Sequence, residues 1–123
     1  MASITIDDDR LTVRLHGLSR LWAMRSGVSV PLGSVRGATV DPGAAREPKG
    51  RRSPGLHVPG LAAVGTFHRG GETILWDVRR GTRAVVLQLS GERYDRVVVE
   101  VADPRAVVER VEAALAGRAG PAS

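Results

Sequence analysis

Residues 84–117, AVVLQLSGERYDRVVVEVADPRAVVERVEAALAG, decide the fold class of this 123-residue chain. Two apolar runs, 84–89 and 97–101, have the length and the valine content of β-strands. One amphipathic helix follows them, and no further strand pattern comes after it. We therefore expect the helix to cover an open end of an antiparallel sheet or barrel, since a helix that joins parallel strands needs a strand on each side.

The helix has clear boundary signals in the sequence. Asp103 is a capping residue, Pro104 occupies the first helical position, and Gly117 can end the helix in a left-handed conformation. A single apolar stripe runs along it, made of Val107, Val108, Val111 and Leu115. Because an isolated helix of this length is marginal in water, we expect the stripe to be buried against the strands.

Earlier parts of the chain also have strand patterns. Leu11, Val13 and Leu15 alternate with polar residues, and Ile4 and Ile6 extend or precede this strand. Further strands are predicted at 28–30, 35–40, 61–67 and 73–78, the last two joined by a turn at 68–71. A short helix is predicted near 18–25, with Leu18, Leu21 and Trp22 on one face.

Residues 42–60 lack apolar periodicity and are rich in turn formers. These are Pro42, Gly43, Pro48, Gly50, Pro54, Gly55, Pro59 and Gly60. The pattern predicts a long exposed loop, and loops of this length are often functional. We expect a single domain over 1–117 that contains this loop, followed by a flexible tail at 118–123.

The composition is that of a soluble globular protein, with 42% hydrophobic and 25% charged residues. The net charge is +5, and Lys49 is the only lysine, so arginine dominates. The arginines are scattered over every segment, which favours solvent-facing strand surfaces over a nucleic-acid interface. The chain has no cysteine, no apolar run long enough to span a membrane and no signal-peptide pattern, so we expect a cytoplasmic protein.

The predicted inventory is seven strands, three before the loop and four after it, with a C-terminal helix. Several stretches resemble small actinobacterial proteins of the bacterial pleckstrin-homology (PH)-like type. They are Leu21-Trp22-Ala23, Val30-Pro31-Leu32 with Val35, Gly65-Thr66-Phe67, Trp76-Asp77-Val78, and Tyr94-Asp95-Arg96 with the valine run after it. The resemblance covers residues 10–116 and implies a mainly β, partly open barrel of seven antiparallel strands, capped by the C-terminal α-helix.

Lipid-binding PH domains carry a lysine and spaced basic residues across their first two strands. The corresponding part of this sequence has Arg14, Arg20 and Arg25 but no lysine. The resemblance therefore does not imply phosphoinositide recognition. Because PH-like folds host many kinds of binding site, it does not name a ligand either.

The densest basic cluster is Lys49, Arg51 and Arg52 in the predicted loop, and these are the candidate ligand-binding residues. We predict a non-catalytic interaction module for protein association, with an unknown protein partner or a second copy of the chain bound at the loop and the neighbouring sheet edge. The alternative is a weak anionic-lipid or phosphate binder that uses the same three residues.

No cofactor, metal or nucleic acid is expected. The histidines His16, His57 and His68 lack metal-ligand spacing, and no nucleophile motif is present. Trp76 alternates with Ile74 and Val78, which predicts a core position on one face of a strand. Enzyme activity is therefore not expected.

Overall fold

A computed structural model of the chain describes residues 2–7, 9–15, 27–43, 51–58, 62–78 and 83–119. These residues form nine β-strands, a short 3₁₀ turn at Leu32–Ser34 and one α-helix. The strands are β1 (Ser3–Asp7), β2 (Arg10–Arg14), β3 (Gly27–Pro31), β4 (Val35–Val40), β5 (Arg51–Val58), β6 (Ala62–Arg69), β7 (Glu72–Val78), β8 (Ala84–Leu89) and β9 (Arg96–Glu100). The helix α1 spans Pro104–Ala119.

The strands form two sheets. The first has the order β1-β2-β3 and is antiparallel throughout. The second has six strands in the order β4-β8-β9-β7-β6-β5, and β9 is antiparallel to β8 but parallel to β7. The predicted class, mainly β with a C-terminal helix, is confirmed.

The prediction of seven antiparallel strands is wrong for the described part of the chain, which has nine strands and one parallel pair. The described strands also do not close into a barrel. The physical reason is the position of β9, which does not continue a meander but lies between β8 and β7. Val97, Val98 and Val99 are all buried, as expected for a strand covered on both faces.

Hydrophobic side chains cover both faces of the six-stranded sheet. The larger core joins this sheet to the three-stranded sheet and to α1, and it includes Leu11, Val13, Leu75, Leu87, Val97 and Val111. The smaller core lies on the opposite face and consists of Phe67, Ile74, Trp76, Val78, Ala84, Val86 and Val98. The predicted core position of Trp76 beside Ile74 and Val78 is confirmed.

The start of α1 follows the prediction. The Asp103 side chain accepts a hydrogen bond from the Ala106 amide at 3.2 Å, and the Asp103 carbonyl accepts the first helical bond from Val107 at 3.1 Å. The predicted end is wrong, because the helix continues through Gly117 to Ala119. Residues 118 and 119 therefore belong to α1.

Docking of α1 on the sheets is confirmed. The helix packs mainly against β4 and also touches β8 and β1. Val107 and Val111 are buried in the larger core, with Val108 and Leu115 packed against it. At ~1.5–3 kcal/mol for each fully buried valine or leucine, this contact is a substantial part of the stability of the fold.

The predicted loop at 42–60 is wrong for residues 51–58, which form β5. Edge strands tolerate proline and glycine, and the register of β5 against β6 shifts between Arg52 and Gly55, on either side of Pro54. Main-chain pairing with β6 therefore needs no apolar alternation in this segment. The helix predicted near 18–25 lies outside the described residues.

Candidate functional site

The candidate site is the open edge of the six-stranded sheet at β5. This strand is eight residues long and stands last in the strand order, so among the described strands it pairs with β6 alone. Its ladder with β6 runs from Arg51 opposite His68 to Val58 opposite Ala62. An outermost strand offers main-chain N–H and C=O groups to any further strand that approaches.

The turn between β6 and β7 determines which β6 residues direct their main-chain groups toward β7 and which direct them toward β5. Gly70 and Gly71 have φ angles of +59° and +82°, the signature of a two-residue type I′ turn. Arg69 and Glu72 are therefore the hydrogen-bonded pair that closes the hairpin. Because main-chain groups alternate sides along a strand, Val64 must direct its N–H and C=O groups toward β5.

The same alternation identifies the main-chain groups of β5 that do not point toward β6. Leu56 lies opposite Val64 and Val58 opposite Ala62, so Leu56 and Val58 use their main-chain groups in the ladder with β6. Gly55 precedes Leu56, and His57 lies between Leu56 and Val58. These two residues therefore direct their main-chain N–H and C=O groups to the open side of β5. The open edge, defined here as residues 55–58 of β5, thus presents two amides and two carbonyls.

The three predicted site residues are only partly placed. Lys49 lies outside the described residues. Arg51 and Arg52 begin β5, where their register partners are His68 and Phe67. The prediction of a contact surface in this part of the chain therefore falls on the sheet edge, next to the end of the β6–β7 hairpin.

A depression of about 380 Å³ lies at that hairpin end, lined by His68, Arg69, Gly70, Gly71, Glu72 and Thr73. His68 is half-buried, and its Nδ1 lies 3.4 Å from the Thr73 hydroxyl. The Thr73 amide donates to the Asp95 carboxylate at 2.8 Å. These contacts hold the hairpin end against the start of β9.

The charges at the hairpin end are not balanced. Glu72 forms an ion pair with Arg96, so its carboxylate already has a cationic partner. Arg69, directly opposite Glu72 in the ladder, is exposed and forms no ion pair with a described residue. Sequence reasoning missed this end of the hairpin as part of a site, although a signal was present: residues 48–71 contain Lys49, Arg51, Arg52 and Arg69 and no acidic residue.

The opposite edge of the sheet differs. There α1 lies over β4, and Val35 and Ala38 are buried beneath it. Val40 is a large hydrophobic residue that is 42% exposed. Because the Asp41 amide donates to the Ala84 carbonyl, the main-chain groups of Val40 point away from β8.

A second depression and the histidines are further features of the described residues. A second depression of about 220 Å³ lies between β1 and the start of α1, with mainly small or apolar residues around Arg110. Within the described ranges, no three His, Asp or Glu side chains cluster as metal ligands. Of the three histidines, His57 is in β5, His68 is in β6 and His16 lies outside the described residues. No described helix has the length and hydropathy needed to cross a membrane.

Comparison of the chain with protein-family models, with curated proteins and with solved structures found no match. The class of protein is therefore defined by its own geometry. It is a mainly β protein of two sheets with a docked C-terminal helix, and one outer strand of the larger sheet begins with two arginines and pairs with β6 alone among the described strands.

Proposed function

We propose that the protein is a non-catalytic association module that accepts an extended segment of a partner protein along β5. The observation that carries this proposal is the position of β5, an eight-residue strand that is last in its sheet and pairs with β6 alone among the described strands. Strand addition at an open edge is a common mode of peptide recognition, because main-chain hydrogen bonds supply affinity for almost any sequence.

The open edge alone supplies only part of the binding free energy of a partner strand. Two outward-facing residues, Gly55 and His57, offer four main-chain hydrogen bonds, since each has one donor and one acceptor. At a net ~0.5–1.5 kcal/mol for each bond, the edge contributes ~2–6 kcal/mol before the cost of ordering the partner. Useful affinity therefore requires side-chain contacts as well, and these set the specificity.

We retain as a second part of the proposal a relation to the bacterial PH-like proteins. The mainly β architecture and the C-terminal helix packed on the sheets support this relation. The nine described strands and the parallel β7–β9 pair depart from the seven-stranded antiparallel barrel. The cytoplasmic location and the weak lipid or phosphate alternative stay predictions of the sequence.

A pair of proline substitutions tests the proposal. His57→Pro removes an N–H that faces the open side of β5 and leaves the ladder with β6 intact. Val40→Pro is the matched control, because it removes an outward N–H from the opposite outer strand. We expect both variants to keep the wild-type melting temperature to within about 3 °C, since neither loses an internal hydrogen bond.

The readout is quantitative affinity capture from a lysate of the source organism, with wild type, His57→Pro and Val40→Pro side by side. Strand addition at β5 is supported by partners that wild type and Val40→Pro capture and that His57→Pro recovers in amounts at least tenfold lower. Equal capture by all three variants would contradict it. Light scattering on the same variants detects self-association, and a wild-type dimer that dissociates only in His57→Pro identifies a second copy as the partner.

The lipid alternative has its own test. Joint replacement of Lys49, Arg51 and Arg52 by serine removes the basic cluster at the start of β5. If the protein binds anionic surfaces, wild type sediments with phosphatidylglycerol vesicles at low salt and the triple variant does not. A wild type that stays in the supernatant removes this alternative.

A further inference from the structure

We infer that the segment bound by β5 is acidic at its carboxyl-terminal end and lies antiparallel to β5. This inference rests on the proposed function and deepens it by naming the chemistry of the partner. It depends on the distribution of charge around the open edge, on the direction of β5 and on the one exposed arginine that lacks an ion-pair partner among the described residues of the hairpin end.

The open edge lies in a long part of the chain that is free of carboxylates. Residues 48–71, which include all of β5 and β6, contain four basic and no acidic residues. By contrast, β4 and the turn after it contain one of each, Arg36 and Asp41. A strand added at β5 therefore lies beside a stretch of chain that has four cations and no carboxylate of its own, and complementary charge favours both the encounter and the register.

The positive charge is concentrated at one end of β5. Arg51 and Arg52 begin the strand, whereas 53–58 contain no arginine or lysine. Parallel pairing is slightly less stable per residue than antiparallel pairing, so the partner is antiparallel, and its carboxyl-terminal end then lies beside the amino-terminal end of β5. Acidic residues at the carboxyl-terminal end of the partner therefore meet the end of β5 that holds Arg51 and Arg52.

The hairpin end adds a third cation at the same place. Arg51 pairs in register with His68, and Arg69 follows His68 in the chain. Because neighbouring strands are about 4.8 Å apart, Arg69 lies within about 10 Å of a strand added beyond β5, close to one Debye length at 0.1 M salt. Its acidic register partner, Glu72, is held by Arg96. The depression of about 380 Å³ beside Arg69 has room for an acidic side chain.

The same charges disfavour the competing occupant, a second copy of the chain. Each copy has a net charge of +5, and a symmetric β5–β5 pair brings two carboxylate-free stretches of 48–71 together. An acidic segment has no such repulsion. An anionic membrane has complementary charge, but it has no main-chain donors and acceptors to pair with Gly55 and His57.

Fluorescence anisotropy with four defined peptides tests the inference. All are fluorescein-labelled nine-residue probes with the same core of alternating threonine and valine. Three end at the carboxyl side in two glutamates, two serines or two lysines, and the fourth has its two glutamates at the amino end. In 50 mM salt we expect the probe with carboxyl-terminal glutamates to bind about fivefold tighter than the serine probe and the lysine probe to bind most weakly. The probe with amino-terminal glutamates should bind no better than the serine probe.

Variants separate the edge from the charge. His57→Pro should weaken binding of every probe about tenfold, because it removes the outward amide. Arg69→Ser should weaken the probe with carboxyl-terminal glutamates about threefold and leave the serine probe unchanged. Arg105→Ser is the matched control, since Arg105 is exposed on α1, far along the chain from β5, and it should change neither affinity.

The outcomes distinguish this inference from the proposed function. Equal affinity of the wild type for all four probes, with weaker binding of each by His57→Pro, would overturn the acidic partner and leave strand addition supported. Tighter binding of the probe with amino-terminal glutamates would overturn the antiparallel direction. If light scattering shows a dimer that the probe with carboxyl-terminal glutamates fails to dissociate, a second copy of the chain and not an acidic segment occupies the open edge. Equal sedimentation of wild type and His57→Pro with phosphatidylglycerol vesicles, without peptide binding, would assign the basic surface to membranes.

Discussion

The two outer strands of the six-stranded sheet are treated in opposite ways by the rest of the chain. At β4, the C-terminal helix packs over the strand and buries Val35 and Ala38. At β5, no described element covers the far side, and the strand has Pro54 and a register shift in its first half. Natural proteins protect sheet edges by covering them, by interrupting them with proline or a bulge, or by placing charge on them.

This difference shows that the two edges are protected by different means. The helix covers β4 with hydrophobic contacts that contribute to folding. The protection of β5 consists of proline, a bulge and arginine, and it leaves residues 55–58 regular. A regular four-residue stretch is short enough to limit aggregation and long enough to hold a partner strand. The covered edge therefore serves stability, and the open edge serves the proposed association.

The largest expected effect removes the cover of β4. Val111 of α1 is fully buried, so Val111→Asp places a carboxylate in the larger core. We expect a loss of more than about 4 kcal/mol and a chain that no longer unfolds cooperatively. Circular dichroism melting measures this. The control Ala113→Asp changes an exposed position of the same helix and should cost only about 1 kcal/mol or less, mostly through the lower helix propensity of aspartate. A native melting temperature for Val111→Asp would refute the docking of α1.

A smaller loss is expected at the turn beside the open edge. Gly71 has a φ of +82°, where an alanine side chain is strained, so Gly71→Ala should destabilise by about 1–2 kcal/mol. Gly37 in β4 has no such backbone conformation, and the space where an alanine Cβ atom would lie is open, so Gly37→Ala should be neutral or slightly stabilising. Chemical denaturation of both variants makes the comparison. Equal losses would show that the conformation of the turn is not the cause.

The cap of α1 has an effect of similar or smaller size. Asp103→Ala removes the acceptor for the Ala106 amide and should cost about 1 kcal/mol. Asp103→Asn keeps a capping oxygen and should cost only about 0.2 kcal/mol. Thermal melts of the two variants suffice. If alanine and asparagine are equally destabilising, the charge and not the cap stabilises the helix.

The last comparison of the two edges is made on the wild-type protein, without a substitution. The outward amides of Ala38 and His57 lie on opposite edges, and among the described elements α1 packs mainly against β4, the strand of Ala38. We expect the Ala38 amide to exchange with solvent at least about tenfold more slowly than the His57 amide, because exchange at an edge depends on local cover. Hydrogen exchange followed by NMR measures both. Equal rates would mean that the helix does not shield β4.

The sequence predicts the positions of the strands and the helix better than it predicts which strands pair. The run 84–89 coincides with β8, and Asp103 and Pro104 mark the start of α1, because periodicity and caps are local signals. Pairing is not local. Nothing in Val97, Val98 and Val99 names β7 as a neighbour, although an unbroken apolar run does indicate a strand buried on both faces.

Only part of the candidate site can be predicted from the sequence, because its assembly also depends on which strands pair. Arg51 and Arg52 stand out as basic neighbours, but their place at an outer strand depends on the strand order, which is a tertiary property. Pro54 and Gly55 conceal β5, because they are turn formers in most contexts and edge-strand residues only where a neighbouring strand exists. His68 and Arg69 join the site through pairing of β6 with β5, which no local pattern reveals.

The central place of β9 has a consequence for synthesis of the protein. In the sheet order, β4 and β8 lie on one side of β9, and β7, β6 and β5 lie on the other. The two halves of the sheet are joined through β9, which is the last strand in the described chain. The nascent polypeptide therefore cannot complete this sheet until residues 96–100 have left the ribosome, and until then both halves expose unpaired strands that chaperones can recognise.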